Sequence, residues 1–230
     1  MRYVRENLRL SREIKDMLIA DLVLAFAFDF VFNGGVESAP SAASLAYFFP
    51  IALVAVTFSF VLHEYMHKVV AEHYGAIAAF RKSDTGLIIT LLTSMFGFLI
   101  GLPGATVIYT NYFTKKEDAY VSLAGPLTNF AVFAVFMLLS FFVPQKSYLY
   151  EMFFYTMLIS IILAFFNMLP IFPLDGSKVF RWNKIAYFAV LAAIFGILLL
   201  IFPIAWLIED LVIMLVLAFV MSMFTRAVIF

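Results

Sequence analysis

Long apolar stretches, separated by short polar breaks or by proline and glycine, dominate the chain. A bilayer span needs about 20 mostly apolar residues, and six stretches meet that requirement. They predict transmembrane helices at about 16–33, 45–69, 119–143, 148–170, 185–203 and 206–226. The pattern therefore predicts an all-α polytopic membrane protein.

A seventh apolar stretch, 86–113, differs from these six because glycine and proline interrupt it, at Gly97, Gly101, Pro103 and Gly104. Its second half, 105–113, is rich in the Thr, Val, Ile and Tyr residues that favour strands. We expect a membrane-associated hairpin or re-entrant segment that enters and returns on one side. The alternative is an ordinary span followed by a loop.

The positions of the basic residues favour a returning segment. Basic residues near span ends favour the cytoplasmic side of the membrane. If the segment returns, all but one of the 15 Lys and Arg residues fall on one side, the exception being Lys146. If it crossed once, Lys115, Lys116 and the cluster at 178–184 would lie outside. We therefore predict a multi-pass protein of the cell membrane, with six spans and both termini in the cytoplasm.

Composition agrees with this prediction and excludes other classes of protein. Hydrophobic residues make up 65% of the chain and charged residues 13%, whereas soluble proteins are about half apolar and a quarter charged. With a net charge of zero, the chain has no net electric field that would recruit a nucleic acid, and the absence of cysteine excludes thiolate catalysis and Cys-ligated metal. Because no polar stretch is long enough for a further domain, we expect one membrane domain over 1–230, embedded in the lipid bilayer. No oligomeric state is predicted.

The second span ends in a cluster of ionisable residues, His63-Glu64-Tyr65-Met66-His67. His63 and His67 are four residues apart, so both imidazoles share one face of a helix. Two imidazoles at that spacing can hold one divalent cation, and Glu64 beside them can take a proton from a water at the metal. The alternative is a structural polar cluster or the proton relay of a transporter.

Two histidines leave a tetrahedral site one protein ligand short. His73 has the offset of the third histidine in HExxHxxGxxH proteases, but Val70 stands where those proteins need glycine. A straight helix carries His73 about 15 Å from His63, so we reject it as a ligand. Asp175 is the better candidate, because spans two and four end at the same membrane face. Considered alone, Asp175 is equally consistent with a helix-ending turn.

Two amide side chains also lie in apolar surroundings. Asn129 ends the stretch AGPLTN, and Asn167 begins NMLPIFPLDG. Either can stabilise an oxyanion or bind a substrate backbone, and either can equally make an interhelical hydrogen bond. Asp21 and Asp29, in span one, are interpreted as packing or cavity-lining groups.

Three motifs, in this order, resemble the site-2 proteases, which are zinc intramembrane metalloproteases. They are HEYMH at 63–67, AGPLTN at 124–129 and NMLPIFPLDG at 167–176. The resemblance covers a catalytic core at about 45–180. It implies one Zn²⁺ held by His63, His67 and Asp175, with Glu64 as general base and Asn167 binding substrate or oxyanion. Family members often add a PDZ or CBS domain, and we expect neither in this sequence.

The resemblance implies hydrolysis of a peptide bond within or near a transmembrane segment of a membrane protein substrate, close to the cytoplasmic face. Asn129 is taken as a substrate-binding residue. Because a helical substrate must unwind, we expect 105–113 to pair with the unwound stretch as an added strand. Two alternatives are a metal or ion transporter that uses the His/His/Asp cluster as a transit site and a metal-binding scaffold. A third is a membrane metalloprotease with glutamate as third ligand.

Overall fold

A computed structural model describes residues 2–110 and 112–201 and the separate positions 215, 216, 219 and 223, with side chains from Leu10 onward. The described chain is mostly helical. Its elements are α1 (Arg2–Phe32), a 3₁₀ turn (Val36–Ser38), α2 (Ala42–Val56), a π-helical turn (Thr57–Val61), α3 (Leu62–His73), β1 (Ile77–Lys82), α4 (Asp84–Ser94), β2 (Gly104–Tyr109), α5 (Lys115–Ser140), α6 (Tyr148–Asn167), α7 (Asp175–Trp182) and α8 (Lys184–Ile201).

Four predicted spans coincide with helices long and apolar enough to cross a bilayer. These are the continuous helix Ala42–His73, which comprises α2, the π-helical turn and α3, together with α5, α6 and α8. The first predicted span falls on α1, which does not meet that criterion because its apolar part carries Asp16, Asp21 and Asp29. The predicted span at 206–226 lies almost wholly outside the described residues. Six spans therefore stay a prediction.

Side-chain caps explain where several helices begin. Ser41, Ser83 and Ser147 each accept a hydrogen bond from a backbone N–H in the first turn of α2, α4 and α6. Thr114 and Glu117 form a capping box at the start of α5. Such caps satisfy amide groups that have no partner within the helix.

The segment 86–113 folds back beside β1, the strand that precedes it and that the sequence did not indicate. Its return on one side of a membrane stays a prediction. Its strand-rich half forms β2, which pairs antiparallel with β1, so that Lys82 lies opposite Gly104. Between the strands, α4 has 11 residues and a length of about 16 Å, too short to cross a bilayer. The N–H of Ser83 donates to the carbonyl of Pro103 at 3.0 Å, which closes the segment at its base.

The hydrophobic core has two main parts. One joins α5, α6, α7 and α8 around the buried residues Phe133, Ile161, Met168, Tyr187 and Ile194. The other packs α1 against the π-helical turn, β1 and α4. Two ion pairs add to the contacts of α1: Glu13 with Lys68 of α3, and Asp16 with Arg81 of β1.

The π-helical turn is held by polar contacts from three neighbouring helices. Thr57 Oγ1 donates to Asp21 Oδ2 of α1 at 2.9 Å. Asn129 Nδ2 of α5 donates to the Ser59 carbonyl at 3.1 Å. The hydroxyls of Ser59 and Ser160 of α6 lie 2.6 Å apart. These contacts fix the turn directly before the HEYMH motif.

The register of the β1–β2 pair is open to a direct test, because the chain has no cysteine. Ala79 lies opposite Val107. A hydrogen-bonded antiparallel pair places its Cα atoms about 5.5 Å apart, within the range of a disulfide. We expect Ala79→Cys/Val107→Cys to lose both free thiols on mild oxidation, as counted by maleimide labelling. In the control Ala79→Cys/Ile108→Cys, the side chains point to opposite faces and both thiols should stay free. Equal cross-linking in the two variants contradicts the register.

Candidate metal centre

The two histidines of the HEYMH motif lie together on one face of α3. His63 is 2% exposed and His67 is 7% exposed. Their Nε2 atoms are 3.0 Å apart. The i, i+4 spacing therefore places both imidazoles on one face of the helix, as helix geometry predicts.

Asp175 reaches this pair from the first turn of α7. Its Oδ2 lies 3.4 Å from Nε2 of His63 and 3.2 Å from Nε2 of His67. One ligand atom from each of the three residues lies within 4.8 Å of the others. Among the described residues, this His/His/Asp group is the one cluster of three or more such side chains, and His73 is not part of it.

Gly176 explains how Asp175 comes so close. The chain between α6 and α7 contains Pro170 and Pro173, which cannot continue a helix hydrogen-bond ladder. A Cβ at position 176 would overlap the carbonyl oxygen of Met168. Glycine therefore lets α7 begin directly against the end of α6, with Asp175 turned toward the histidines.

Hydrogen bonds from neighbouring groups settle which imidazole nitrogen carries the proton. His67 Nδ1 lies 2.7 Å from the Val121 carbonyl, which can only accept, so Nδ1 is the donor. Asn129 Nδ2 donates to the Ser59 carbonyl, so Asn129 Oδ1 faces His63 Nδ1 at 2.7 Å and accepts from it. In neutral imidazoles, both Nε2 atoms then present lone pairs.

This arrangement fits a bound cation. Two nitrogen lone pairs 3.0 Å apart repel each other, and the Asp175 carboxylate oxygen beside them adds negative charge. One divalent ion shared by the three atoms removes that repulsion. Two imidazoles and a carboxylate are a common donor set for zinc with a further position left open. The hydrogen bonds at Nδ1 are the outer contacts that usually orient metal-binding histidines.

Gly125 of α5 lies next to the Nε2 atoms of both imidazoles. A Cβ at this position would lie 2.5 Å from His63 Nε2 and 2.6 Å from His67 Nε2. Such distances are far below van der Waals contact, so the site requires glycine here. Gly125 belongs to the AGPLTN stretch, and the structure shows that the groups next to it are the two imidazoles.

Glu64 lies beside the cluster and is held by β2. The residue is buried, with 8% of its surface exposed. Oε2 accepts from the N–H of Thr106 at 2.7 Å and lies 2.8 Å from the Thr106 hydroxyl. Thr106 was not singled out by sequence, because a lone threonine in a strand-rich segment carries no spacing signal.

The two amides take different positions. Asn129 is fully buried and makes the interhelical contacts to His63 and Ser59 described above. This is the hydrogen-bonding alternative considered for it from sequence. Asn167 is the last residue of α6, and its Nδ2 donates to the carbonyl of Leu163 in the same helix at 3.0 Å.

A cavity of about 410 Å³ lies beside Thr106, and its lining residues are Thr106, Ile108, Thr110, Phe113, Asp118 and Lys178. The first three come from β2 and the residue that follows it. On the opposite side, Lys178 of α7 pairs with Asp118 of α5 at 3.3 Å. The cavity therefore borders both the strand that holds Glu64 and the helix that carries Asp175.

Comparison with known proteins identifies related sequences. The model of peptidase family M50 matches residues 143–186. A protein of Methanocaldococcus jannaschii whose name describes it provisionally as a zinc metalloprotease is 40% identical over 190 residues, which cover 82% of this chain and 94% of that protein. A second zinc metalloprotease of that organism is 27% identical over 134 residues, covering 58% of this chain and 34% of that protein. A solved structure of a site-2 protease from the same organism covers 87% of this chain and 85% of that one, with 21% identity and a TM-score of 0.43.

The contact between Gly125 and the imidazoles predicts that Gly125→Ala loses the metal. The added methyl group would occupy the space directly against both Nε2 atoms. Metal content of the purified variant should fall to near zero. Gly196→Ala is the matched control, because a Cβ at that position meets nothing within 4 Å. Full metal content in Gly125→Ala would contradict the assigned site.

Proposed function

The chain belongs to peptidase family M50, the site-2 protease family, and is a membrane metalloprotease; we propose that it uses the His63/Glu64/His67/Asp175 site to hydrolyse a peptide bond within or beside a transmembrane segment of its substrate. The observation that carries this proposal is the convergence of three metal-ligand atoms within 4.8 Å, with Glu64 on the same helix as two of them. The comparisons give no support to a transporter.

His63, His67 and Asp175 would hold one Zn²⁺. When bound, zinc supplies a Lewis acid that polarises a carbonyl and increases the acidity of water. The chain's own contribution is to fix the ligands. Asn129 and the Val121 carbonyl hold the two imidazoles with Nε2 toward the site. The absence of a side chain at Gly125 leaves room for the ion.

Glu64 acts as the general base. It takes a proton from the water that attacks the scissile carbonyl and passes this proton to the leaving amine. Its burial beside the histidines supports the role, because a buried carboxylate has little bulk water around it. The hydrogen bond from the N–H of Thr106 holds the carboxylate in a fixed position.

The edge of β2 that pairs with no strand among the described residues, called its free edge below, is proposed to bind the unwound substrate. In an antiparallel pair, the backbone groups of alternate residues point away from the partner strand. Phe80 N–H points outward from β1 to Glu13, and Thr106, opposite Phe80, points outward from β2 to Glu64. The same alternation turns the backbone groups of Ile108 outward. An extended peptide can therefore pair with this edge along the cavity, as in other strand-addition complexes.

The two asparagines are assigned different tasks. Asn129 has both ends of its amide engaged and is fully buried, which supports a role in orienting His63 in place of the substrate-binding role expected from sequence. Asn167 ends α6, just before the loop that leads to Asp175. We retain it as the group that binds the substrate carbonyl or the oxyanion.

The site is proposed to open toward the cytoplasm, with both termini on that side. Basic residues gather at the end of α3 that carries His67: Lys68 in α3 itself, and Arg81 in the strand that follows. Lys178 lies three residues after Asp175. Such clusters favour the cytoplasmic side of a membrane.

Separate variants distinguish the general base from the metal ligands. Glu64→Gln should keep its zinc and lose about 10²–10⁴-fold in cleavage of a transmembrane substrate by detergent-purified protein. His67→Ala and Asp175→Ala should lose both zinc and activity. Glu72→Ala, on the exposed side of α3, should retain both. If Glu64→Gln with zinc bound cleaves as fast as wild type, the proposed function is wrong.

Zinc affinity and turnover should also separate the two asparagines. Asn129→Ala removes the acceptor of the His63 N–H and should weaken zinc binding about 10- to 100-fold, measured by competition with a chelator. Asn167→Ala should bind zinc normally and lower kcat by about 10²–10³-fold, the usual effect of losing an oxyanion donor. The reverse outcome would exchange the two assignments.

A further inference from the structure

The geometry points to Thr106 as a positioning residue that holds the Glu64 carboxylate at the free edge of β2, so that the strand that binds the substrate also sets the place of the general base. This inference rests on the proposed function. Thr106 lies in β2, whereas Glu64 lies in α3, 42 positions earlier in the chain.

Two donors of Thr106 converge on one carboxylate oxygen. The backbone N–H donates to Glu64 Oε2 at 2.7 Å, and the hydroxyl lies 2.8 Å from the same atom. The hydroxyl is also 2.9 Å from the Glu64 main-chain carbonyl, so its single hydrogen is shared between these two acceptors. Because both contacts to the carboxylate end on Oε2, neither occupies Oε1, which is left to receive a proton.

The direction of the Thr106 N–H links Glu64 to the substrate edge. Thr106 is paired with Phe80 in a position where both N–H groups point away from the sheet, one to Glu64 and the other to Glu13. Along β2, the next outward group belongs to Ile108, about 6.7 Å away. The Glu64 carboxylate therefore occupies the outward donor directly before that of Ile108. A peptide that pairs from Ile108 onward lies next to the carboxylate.

The cavity supports this relationship between strand and base. Thr106 and Ile108, whose outward positions the register predicts, both line it, and so does Thr110, which follows the strand. A shift of β2 by one residue would turn Thr106 to the other face. It would remove the donors of Glu64 and the binding edge together. One strand thus fixes the distance between the bound peptide and the group that activates water.

Steady-state kinetics of three threonine variants test the inference. Thr106→Val keeps the shape of the side chain and removes the hydroxyl, and Thr106→Ser keeps the hydroxyl. We expect Thr106→Val to lower kcat about tenfold, with KM and zinc content unchanged, since a hydrogen bond to a charged group is worth about that factor. Thr106→Ser should restore kcat to within about threefold of wild type. Thr156→Val, whose hydroxyl bonds only to the Met152 carbonyl of its own helix among the described contacts, is the matched control.

Each alternative outcome overturns the inference. If Thr106→Val keeps the wild-type kcat, the hydroxyl does not position Glu64. If Thr106→Ser is as slow as Thr106→Val, or if Thr156→Val is equally slow, the loss is a packing effect. A rise in KM without a fall in kcat would assign Thr106 to substrate binding alone.

Amide hydrogen exchange tests the contact without requiring activity. In wild type, the Thr106 N–H should exchange slowly, and in Glu64→Ala it should exchange at least about tenfold faster. The N–H groups of Ala105 and Val107 face β1 and serve as internal controls that should not change. Unchanged exchange at Thr106 overturns the inference. Activity in Glu64→Gln equal to wild type would instead overturn the proposed function and leave the exchange result to be judged separately.

Discussion

The candidate metal centre depends on two hydrogen bonds at the Nδ1 atoms of its histidines. These atoms lie on the side of each ring that faces away from the proposed metal position. Because Nδ1 of each imidazole donates to an oxygen of its surroundings, both Nε2 lone pairs face each other and Asp175. With both imidazoles neutral, this arrangement is repulsive unless a cation lies between the three atoms. Helix α5 supplies both acceptors, the Val121 carbonyl and the Asn129 amide oxygen, and also the glycine that leaves room for the ion. The candidate metal centre is therefore organised around the packing of α5 against α3.

Sequence reasoning recovered the parts of the molecule that have a regular spacing or a simple location. The i, i+4 relation of His63 and His67 needs only helix geometry, and both residues do share a face. Asp175 could be paired with them because two spans with the same direction end at the same membrane face. The span pattern also held for four helices, since apolar length is read directly from composition. The strand character of 105–113 followed from its β-branched residues.

Other features depend on tertiary contacts that no local pattern encodes. The strand β1, which contains Arg81 and Lys82, was not predicted, because its pairing with β2 is a tertiary contact. Thr106 matters in part because its backbone N–H faces Glu64. A backbone contact of this kind cannot be recognised from the residue type. Asn129 was divided between two roles for a similar reason, since an amide in an apolar helix has the same sequence signature whether it meets substrate or histidine.

The π-helical turn lets one long helix, Ala42–His73, face different neighbouring helices before and after the turn. A π turn contains more residues per turn than an α turn, and each residue corresponds to about 100° of rotation in an α-helix. The turn at Thr57–Val61 therefore offsets the angular phase of α3 from that of α2. Helix α2 can keep its apolar face toward α1 and α6, while α3 presents its imidazoles to α5 and α7. Deleting one residue there would leave hydropathy intact and aim both histidines away from their aspartate.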